Sequence, residues 1–142
     1  MTTIACDGKS LAADGMATCN GIVTDRNMIK IWKLKDGRLL GCAGDAGTAI
    51  AFREWLEGGE KPELNDNFDA LVLNRDGECF YYSRPNLVPV PAELPTAIGS
   101  GMGFAIAAMD AGATAVRAVE IACGRDTLSG GHITVLHLEP AP

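Results

Sequence analysis

Met1-Thr2-Thr3-Ile4-Ala5-Cys6-Asp7-Gly8-Lys9-Ser10-Leu11-Ala12-Ala13-Asp14-Gly15 opens the chain and decides how the rest of it folds. Thr2 to Cys6 is short, β-branched and apolar, the pattern of a buried strand, and Asp7-Gly8 is a hairpin turn signal. Ser10 to Asp14 returns as the partner strand, and Gly15 ends it. A hairpin of this length brings Asp14 back beside the first residues. Thr2 is small enough to permit removal of Met1. Its removal leaves one residue with a hydroxyl nucleophile and, on the same Cα, a free amine that can serve as base. Such an amine has a reference pKa of about 7.7–8.0, so part of it is neutral near pH 7. Alone, the stretch also reads as a start codon and two ordinary threonines, so the rest of the chain must decide.

Length and composition bound the answer. The 142 residues suffice for a core of their own and show no linker or internal repeat, so one domain spanning residues 1–142 is expected. The chain is 47% hydrophobic and 21% charged, an ordinary globular balance. With a net charge of −6 and no basic run, it lacks what a nucleic-acid partner would need. No apolar stretch approaches the roughly 18 residues of a membrane span, and the start lacks the basic-then-apolar order of a signal peptide. The five cysteines, Cys6, Cys19, Cys42, Cys79 and Cys123, form no Cys-x-x-Cys pair and read as reduced thiols of a cytoplasmic protein, mostly buried in strands. Two histidines, His132 and His137, are too few to suggest a zinc site.

Beyond Gly15, Met16 to Thr24 is expected to continue extended, up to the polar break Asp25-Arg26-Asn27. Met28 to Leu34 is expected to be a strand with Lys30 inside it, and Arg38 to Ala43 another across the turn Lys35-Asp36-Gly37, giving an antiparallel meander. Gly44-Asp45 then opens a helix: Asp45 is a fitting N-cap, Ala49, Phe52, Trp55 and Leu56 fall at helical spacing, and Gly58-Gly59 stops it. After a polar loop over Glu60 to Asn67, Phe68 to Asn74 and Glu78 to Ser83 form a second hairpin. Arg84 to Pro95, with four prolines, is expected to be an extended crossover. Thr96 leads to the corner Gly99-Ser100-Gly101, helices follow over Phe104 to Asp110 and from Thr114 to Cys123, and His132 to Leu138 closes the chain as a strand. Antiparallel hairpins with interspersed helices predict an α+β fold.

Several residues have two readings. Lys30 inside Met28-Ile29-Lys30-Ile31-Trp32 either points to solvent or is a buried cation with a partner. In the second case it would lower the pKa of a neighbouring Thr2 amine by like-charge repulsion. Asp14 is either a turn residue or the group that keeps Lys30 charged and oriented. Gly44 is either a permissive corner or a backbone N–H at a helix N-terminus aimed at a developing oxyanion. Arg125 to Gly131 is a polar turn whose Asp126 and Ser129 could hold a hydroxyl network beside an active site.

Taken together these residues resemble the proteasome-type N-terminal nucleophile hydrolases, the family of the proteasome β-subunit and the HslV (ClpQ-type) peptidase. Six stretches match in order: Met1 to Ile4, Ala13-Asp14-Gly15, Asn27 to Leu34 around Lys30, Cys42 to Asp45, Ile98 to Gly101, and Arg125 to Ile133, the last closer to the proteasome β-subunit. The resemblance implies an αββα sandwich of antiparallel sheets. It makes Thr2 the nucleophile with its α-amine as base, Lys30 the cation that tunes the amine, Asp14 its orienting partner and Gly44 the oxyanion donor, with Ser100, Asp126 and Ser129 in support. Carbonyls of Cys123, Asp126 and Ser129 fall where some relatives hold a structural cation; no cofactor is required. Pocket positions fall on Ala17, Met28, Trp32, Cys42 and Ala46, all apolar or small, which implies an apolar residue before the scissile bond. Family members have two long helices between the glycine corner and the second hairpin, whereas this chain has length for one, so a reduced helix layer is expected.

The implied function is a threonine endopeptidase of a self-compartmentalising, homo-oligomeric ring that takes peptides or unfolded proteins, with an AAA+ ATPase unfoldase as a candidate partner. Two alternatives stay open: an amidohydrolase on a small amide, and a non-catalytic assembly subunit of the same fold.

Overall fold

The computed structural model describes residues 2–63, 68–83 and 86–140. Met1, residues 64–67 of the expected loop, and Arg84-Pro85 at the start of the expected crossover lie outside the described residues. The first hairpin forms as its turn signal dictates: β1 (Ile4–Cys6) and β2 (Ser10–Ala13) pair antiparallel, with Ile4 opposite Ala13. The Asp7 carboxylate accepts the N–H groups of Lys9 and Ser10 and so fixes the turn.

The expected meander does not follow. The run from Met16 to Thr24 folds back on itself as β3 (Ala17–Cys19) and β4 (Ile22–Asp25), a separate two-stranded ribbon. Its turn is Asn20-Gly21, with φ of 51° and 77°, the doubly positive geometry that Asn-Gly favours and that ends an extended run. Lys30 is also not inside a strand. The Met28 N–H is tied to the Gly15 carbonyl (2.9 Å), and the chain enters the ladder only where the Cys42 N–H reaches the Lys30 carbonyl (3.0 Å). The strand is therefore β5 (Ile31–Lys33), paired with β6 (Leu39–Gly44).

Asp45 caps α1 (Ala46–Leu56) as expected, its carboxylate accepting the Thr48 N–H at 3.0 Å. The second hairpin, β7 (Phe68–Leu73) and β8 (Cys79–Ser83), also forms. The proline-rich segment is more than a crossover. It contains β9 (Val88–Pro91), which pairs antiparallel with β8 as an edge strand, the one place in a sheet where prolines cost no ladder bond. β10 (Thr96–Ile98), α2 (Met102–Asp110) and α3 (Ala115–Cys123), capped by the Thr114 side chain, come next. The closing strand β11 (Thr134–His137) starts two residues later than expected, because the His132 N–H is held by the Arg26 carbonyl (2.7 Å).

The strands form a four-stranded sheet, β10-β1-β2-β11, and a five-stranded sheet, β5-β6-β7-β8-β9, both antiparallel. Period-2 alternation assigns the faces. Ile4, Cys6, Leu11 and Ala13 point at Ile31, Leu39, Leu71 and Leu73 of the other sheet. Ala5 and Ala12 face the other way, onto Ala105 of α2 and Ala118, Val119 and Ala122 of α3. On the far face of the five-stranded sheet, Leu40, Ala70 and Val72 pack against Ala49 and Phe52 of α1. The result is an α+β, αββα sandwich with two helices outside one sheet and, among the described residues, a single helix outside the other, the reduced layer anticipated from chain length.

That single helix relies on one side chain. Phe52 is fully buried and meets Phe68, Tyr82 and Trp55 at ring-centroid distances of 5.2, 5.1 and 5.6 Å. Phe52→Ala is expected to destabilise the protein by about 3–5 kcal/mol, read from the shift of its urea unfolding midpoint.

Candidate active site

The two sheets meet at one end in a cleft of about 640 Å³ whose lining includes Thr2, Lys30, Gly44 and Ser100. Thr2 stands two residues before β1, and the hairpin fixes the intervening Thr3 from two sides. The Thr3 N–H donates to Asp14 Oδ1 (3.0 Å), and the Asp14 N–H donates to the Thr3 carbonyl (3.1 Å). Asp14 thus lies beside the chain start, as the hairpin length predicts.

Lys30 is 4% exposed and Asp14 is fully buried, which decides between the two readings of each. A buried ammonium needs partners, and among the described residues Lys30 Nζ reaches Asp14 Oδ1 (2.8 Å), the Met16 carbonyl (2.8 Å) and Thr2 Oγ1 (3.2 Å). The Asp14 carboxylate is equally well served. Oδ1 takes Lys30 and the Thr3 N–H, and Oδ2 takes the N–H groups of Gly130 (3.1 Å) and Met16 (3.4 Å). The ion pair is therefore locked to three separate segments of backbone, and its cation is directed at the Thr2 hydroxyl.

A second network approaches the Thr2 nitrogen. The Thr2 N–H donates to Ser100 Oγ (3.2 Å), whose own proton has two acceptors within reach: Asp126 Oδ2 (2.7 Å) and the Thr2 carbonyl (3.3 Å). The shorter, charge-assisted bond takes the proton and leaves the Ser100 lone pair for Thr2. Ser129 Oγ also donates to Asp126 Oδ2 (2.5 Å), so the Thr3 hydroxyl, 2.7 Å from Ser129 Oγ, must be the donor in that contact. Burial raises the Asp126 pKa, but hydrogen bonds from Ser129, Ser100 and the Leu128 N–H outweigh it and hold the carboxyl below its ordinary value. The corner that carries Ser100 must be glycine on both sides: a Cβ on Gly99 would lie 2.1 Å from the Thr2 carbonyl oxygen, and one on Gly101 1.9 Å from Thr3 Oγ1.

No protein-family model matches the chain, and no curated protein does. Solved structures do. Eukaryotic HslV from Trypanosoma brucei superposes with a TM-score of 0.77 at 24% identity, over 98% of this chain and 99% of that one. Thiobacillus denitrificans BPH superposes with a TM-score of 0.73 at 19% identity, over 99% of each chain. The same protein in complex with epoxomicin gives 0.71 at 18% identity, over 98% of this chain and 99% of that one. This chain has the fold of HslV.

Within that HslV-like fold, six of the expected residues, Thr2, Asp14, Lys30, Ser100, Asp126 and Ser129, are joined by hydrogen bonds into one assembly. Gly44 lies outside that network but lines the same cleft, at the corner where β6 hands over to α1. The five expected pocket positions, Ala17, Met28, Trp32, Cys42 and Ala46, all line it too. Cys42 brings a second potential nucleophile, but burial pushes its thiol pKa well up and keeps it protonated. Cys123 lies half-buried at the end of α3, its thiol pushed up to about 11 by burial and then by the Asp14 charge. Among the described residues, no group of three or more His, Cys, Asp and Glu side chains is placed to hold a metal ion, and no helix is long and apolar enough to cross a membrane.

Sequence reasoning missed Thr3, the Met16 carbonyl, the Gly130 N–H and Asp69. Thr3 had a legible signal: a hydroxyl directly behind Thr2, within a run whose following residues are apolar. The two backbone groups had none.

Two outcomes follow. Asp14→Ala strands the Lys30 ammonium in the interior and is expected to cost about 3–5 kcal/mol in urea unfolding. Asp126, whose folded pKa is depressed, contributes stability above its unfolded pKa and loses it as pH falls through the folded value. Stability should therefore drop more steeply in the wild type than in Asp126→Asn once pH falls below about 4, a comparison made by urea midpoints.

Proposed function

We propose that this chain is a threonine-type endopeptidase that works through Thr2 once Met1 has been removed. The observation that carries this reading is the 3.2 Å contact of Lys30 Nζ with Thr2 Oγ1 at the head of an apolar cleft, with the Thr2 nitrogen steered by Ser100. A buried lysine aimed at a hydroxyl favours the alkoxide over the alcohol. A protonated amine next to that lysine is disfavoured, so the free α-amine of Thr2 stays neutral and basic.

The α-amine, directly or through a water, takes the Oγ1 proton while Oγ1 bonds to the scissile carbonyl carbon. The carbonyl electrons move to its oxygen, where the Gly44 N–H meets them. The tetrahedral adduct expels the amine half of the peptide, which leaves with the proton held by the α-ammonium, and an ester forms on Thr2. Water, deprotonated by the same amine, attacks the ester; the C–Oγ1 bond breaks, the acid half leaves, and the α-ammonium returns its proton to Thr2 Oγ1. Asp14 keeps Lys30 charged and placed; Asp126, through Ser100 and Ser129, holds Thr2 and Thr3.

The lining formed by Ala17, Met28, Trp32, Cys42 and Ala46 suits an apolar substrate residue before the scissile bond. By the same reading the chain acts in a homo-oligomeric ring in the cytoplasm, where its free thiols stay reduced, on peptides or on proteins unfolded by an AAA+ ATPase. A structural cation on the carbonyls of Cys123, Asp126 and Ser129 would brace the turn that carries the last two. The Asp126 carbonyl accepts the Ser129 N–H at 3.3 Å, which leaves it a lone pair for an ion. No step of the reaction passes through that ion.

The test is intact mass before and after a peptide epoxyketone, a warhead that closes a ring with a hydroxyl and the adjacent free amine. Loss of Met1 and one adduct per chain are expected, with no adduct on Thr2→Ala. Peptide hydrolysis that survives Thr2→Ala at the wild-type rate would overturn the mechanism.

A further inference from the structure

The charge on the cleft wall is not accounted for by the chemistry at Thr2. Among the described residues, three charged side chains line the cleft: Lys30, Asp45 and Asp69. Lys30 is already paired with Asp14, and Asp45 is engaged through Oδ2 as the cap of α1. Asp69 caps no helix and pairs with no cation among the described residues, and differs from Asp45 in where it stands. It stands opposite Ala43 in the β6–β7 ladder, on the same face of β7 as Leu71 and Leu73, which point into the layer between the sheets. A carboxylate on an inward face is costly without a partner. Charges of this kind sometimes protect a sheet edge, but β7 is the central strand of five.

Asp69 is also held in place. The Tyr81 hydroxyl donates to its Oδ1 at 2.5 Å, and the Tyr81 ring packs against the core between the sheets. Oδ2 takes no hydrogen bond, and no cation pairs with Asp69, among the described residues. The cleft thus presents a fixed carboxylate oxygen within a lining that is otherwise largely apolar, including Met16, Met28, Trp32, Ile50 and Met102.

We propose that Asp69 is a specificity-determining residue that receives a lysine or arginine side chain of the substrate, so that the preferred peptide carries one cationic residue among apolar ones. This rests on the reading of Thr2 as the nucleophile of a peptidase. The low dielectric of a cleft strengthens a carboxylate–guanidinium contact and penalises an acidic side chain at the same place.

The experiment separates binding from chemistry. Leucine-rich hexapeptides with one arginine moved through the sequence, each beside a counterpart with neutral citrulline at that position, are titrated calorimetrically into the Thr2→Ala protein. At least one arginine peptide should bind roughly tenfold more tightly than its counterpart. The preference should vanish when Asp69→Asn is added and weaken at high salt. Equal binding of every pair, binding of neither member, or a preference that survives Asp69→Asn would each overturn the proposal, and the first two need no variant of Asp69. Hydrolysis of the same peptides by the protein with Thr2 intact is scored separately. A preference without hydrolysis removes the peptidase and leaves the cation site; hydrolysis without a preference does the reverse.

Discussion

Everything near the cleft depends on keeping one ammonium ion inside the protein. Taking Lys30 out of water carries a desolvation penalty of several kcal/mol, which an ion pair offsets only when the remaining lone pairs and protons are also satisfied. Here the offset comes from the whole neighbourhood: the Met16 carbonyl serves the lysine, and the backbone N–H groups of Thr3, Met16 and Gly130 serve the aspartate. Those groups belong to the residue before the first strand, the segment after the first hairpin and the last turn before the closing strand. The site is assembled only when the ends of the chain have come together, which ties its chemistry to complete folding.

The layers explain why the cleft lies where it does. The two sheets share an interior of Ile, Leu and Cys side chains, and the small residues Ala5 and Ala12 let the outer helices approach the other face of the first hairpin. At the open end of this interior, the first residues of β1, the end of β6 and the start of β7 leave room between the sheets. Polar groups gather there: Thr2, Lys30, Asp69 and Ser100 line the cleft, and the fully buried Asp14 backs Lys30.

Much of this was legible in the sequence, for local reasons. The Asp-Gly hairpin, the Asp45 cap and the helix-stopping glycines are short-range signals, and each formed where it was read. Reach along the hairpin put Asp14 beside the first residues, while the apolar setting of Lys30 left it either facing solvent or buried with a partner, and the structure buries it against Asp14. What failed was the weighing of one local signal against another. Asn20-Gly21 turns the chain, though the apolar residues around it suggested an uninterrupted run, and Pro89 and Pro91 do not prevent an edge strand from forming. Thr3 was passed over although its hydroxyl stands out in an apolar run, whereas Gly130 and Asp69 were missed because their places depend on which strands become neighbours, a matter of long-range packing that no local pattern encodes.

The prolines of β9 have a consequence for life in a crowded solution. The Ala92 N–H donates inward to the Cys79 carbonyl, so by alternation Val88 and Val90 also turn their N–H groups to β8, while Pro89 and Pro91 face outward. That rim of the five-stranded sheet therefore presents carbonyl oxygens but no donors from its prolines. A stray strand laid against it would find half of its hydrogen bonds missing, although the exposed valines alone would make the rim adhesive. The sheet is closed to growth on that side by covalent chemistry rather than by a covering helix, so a continuous sheet running from one copy to the next is not built on this rim.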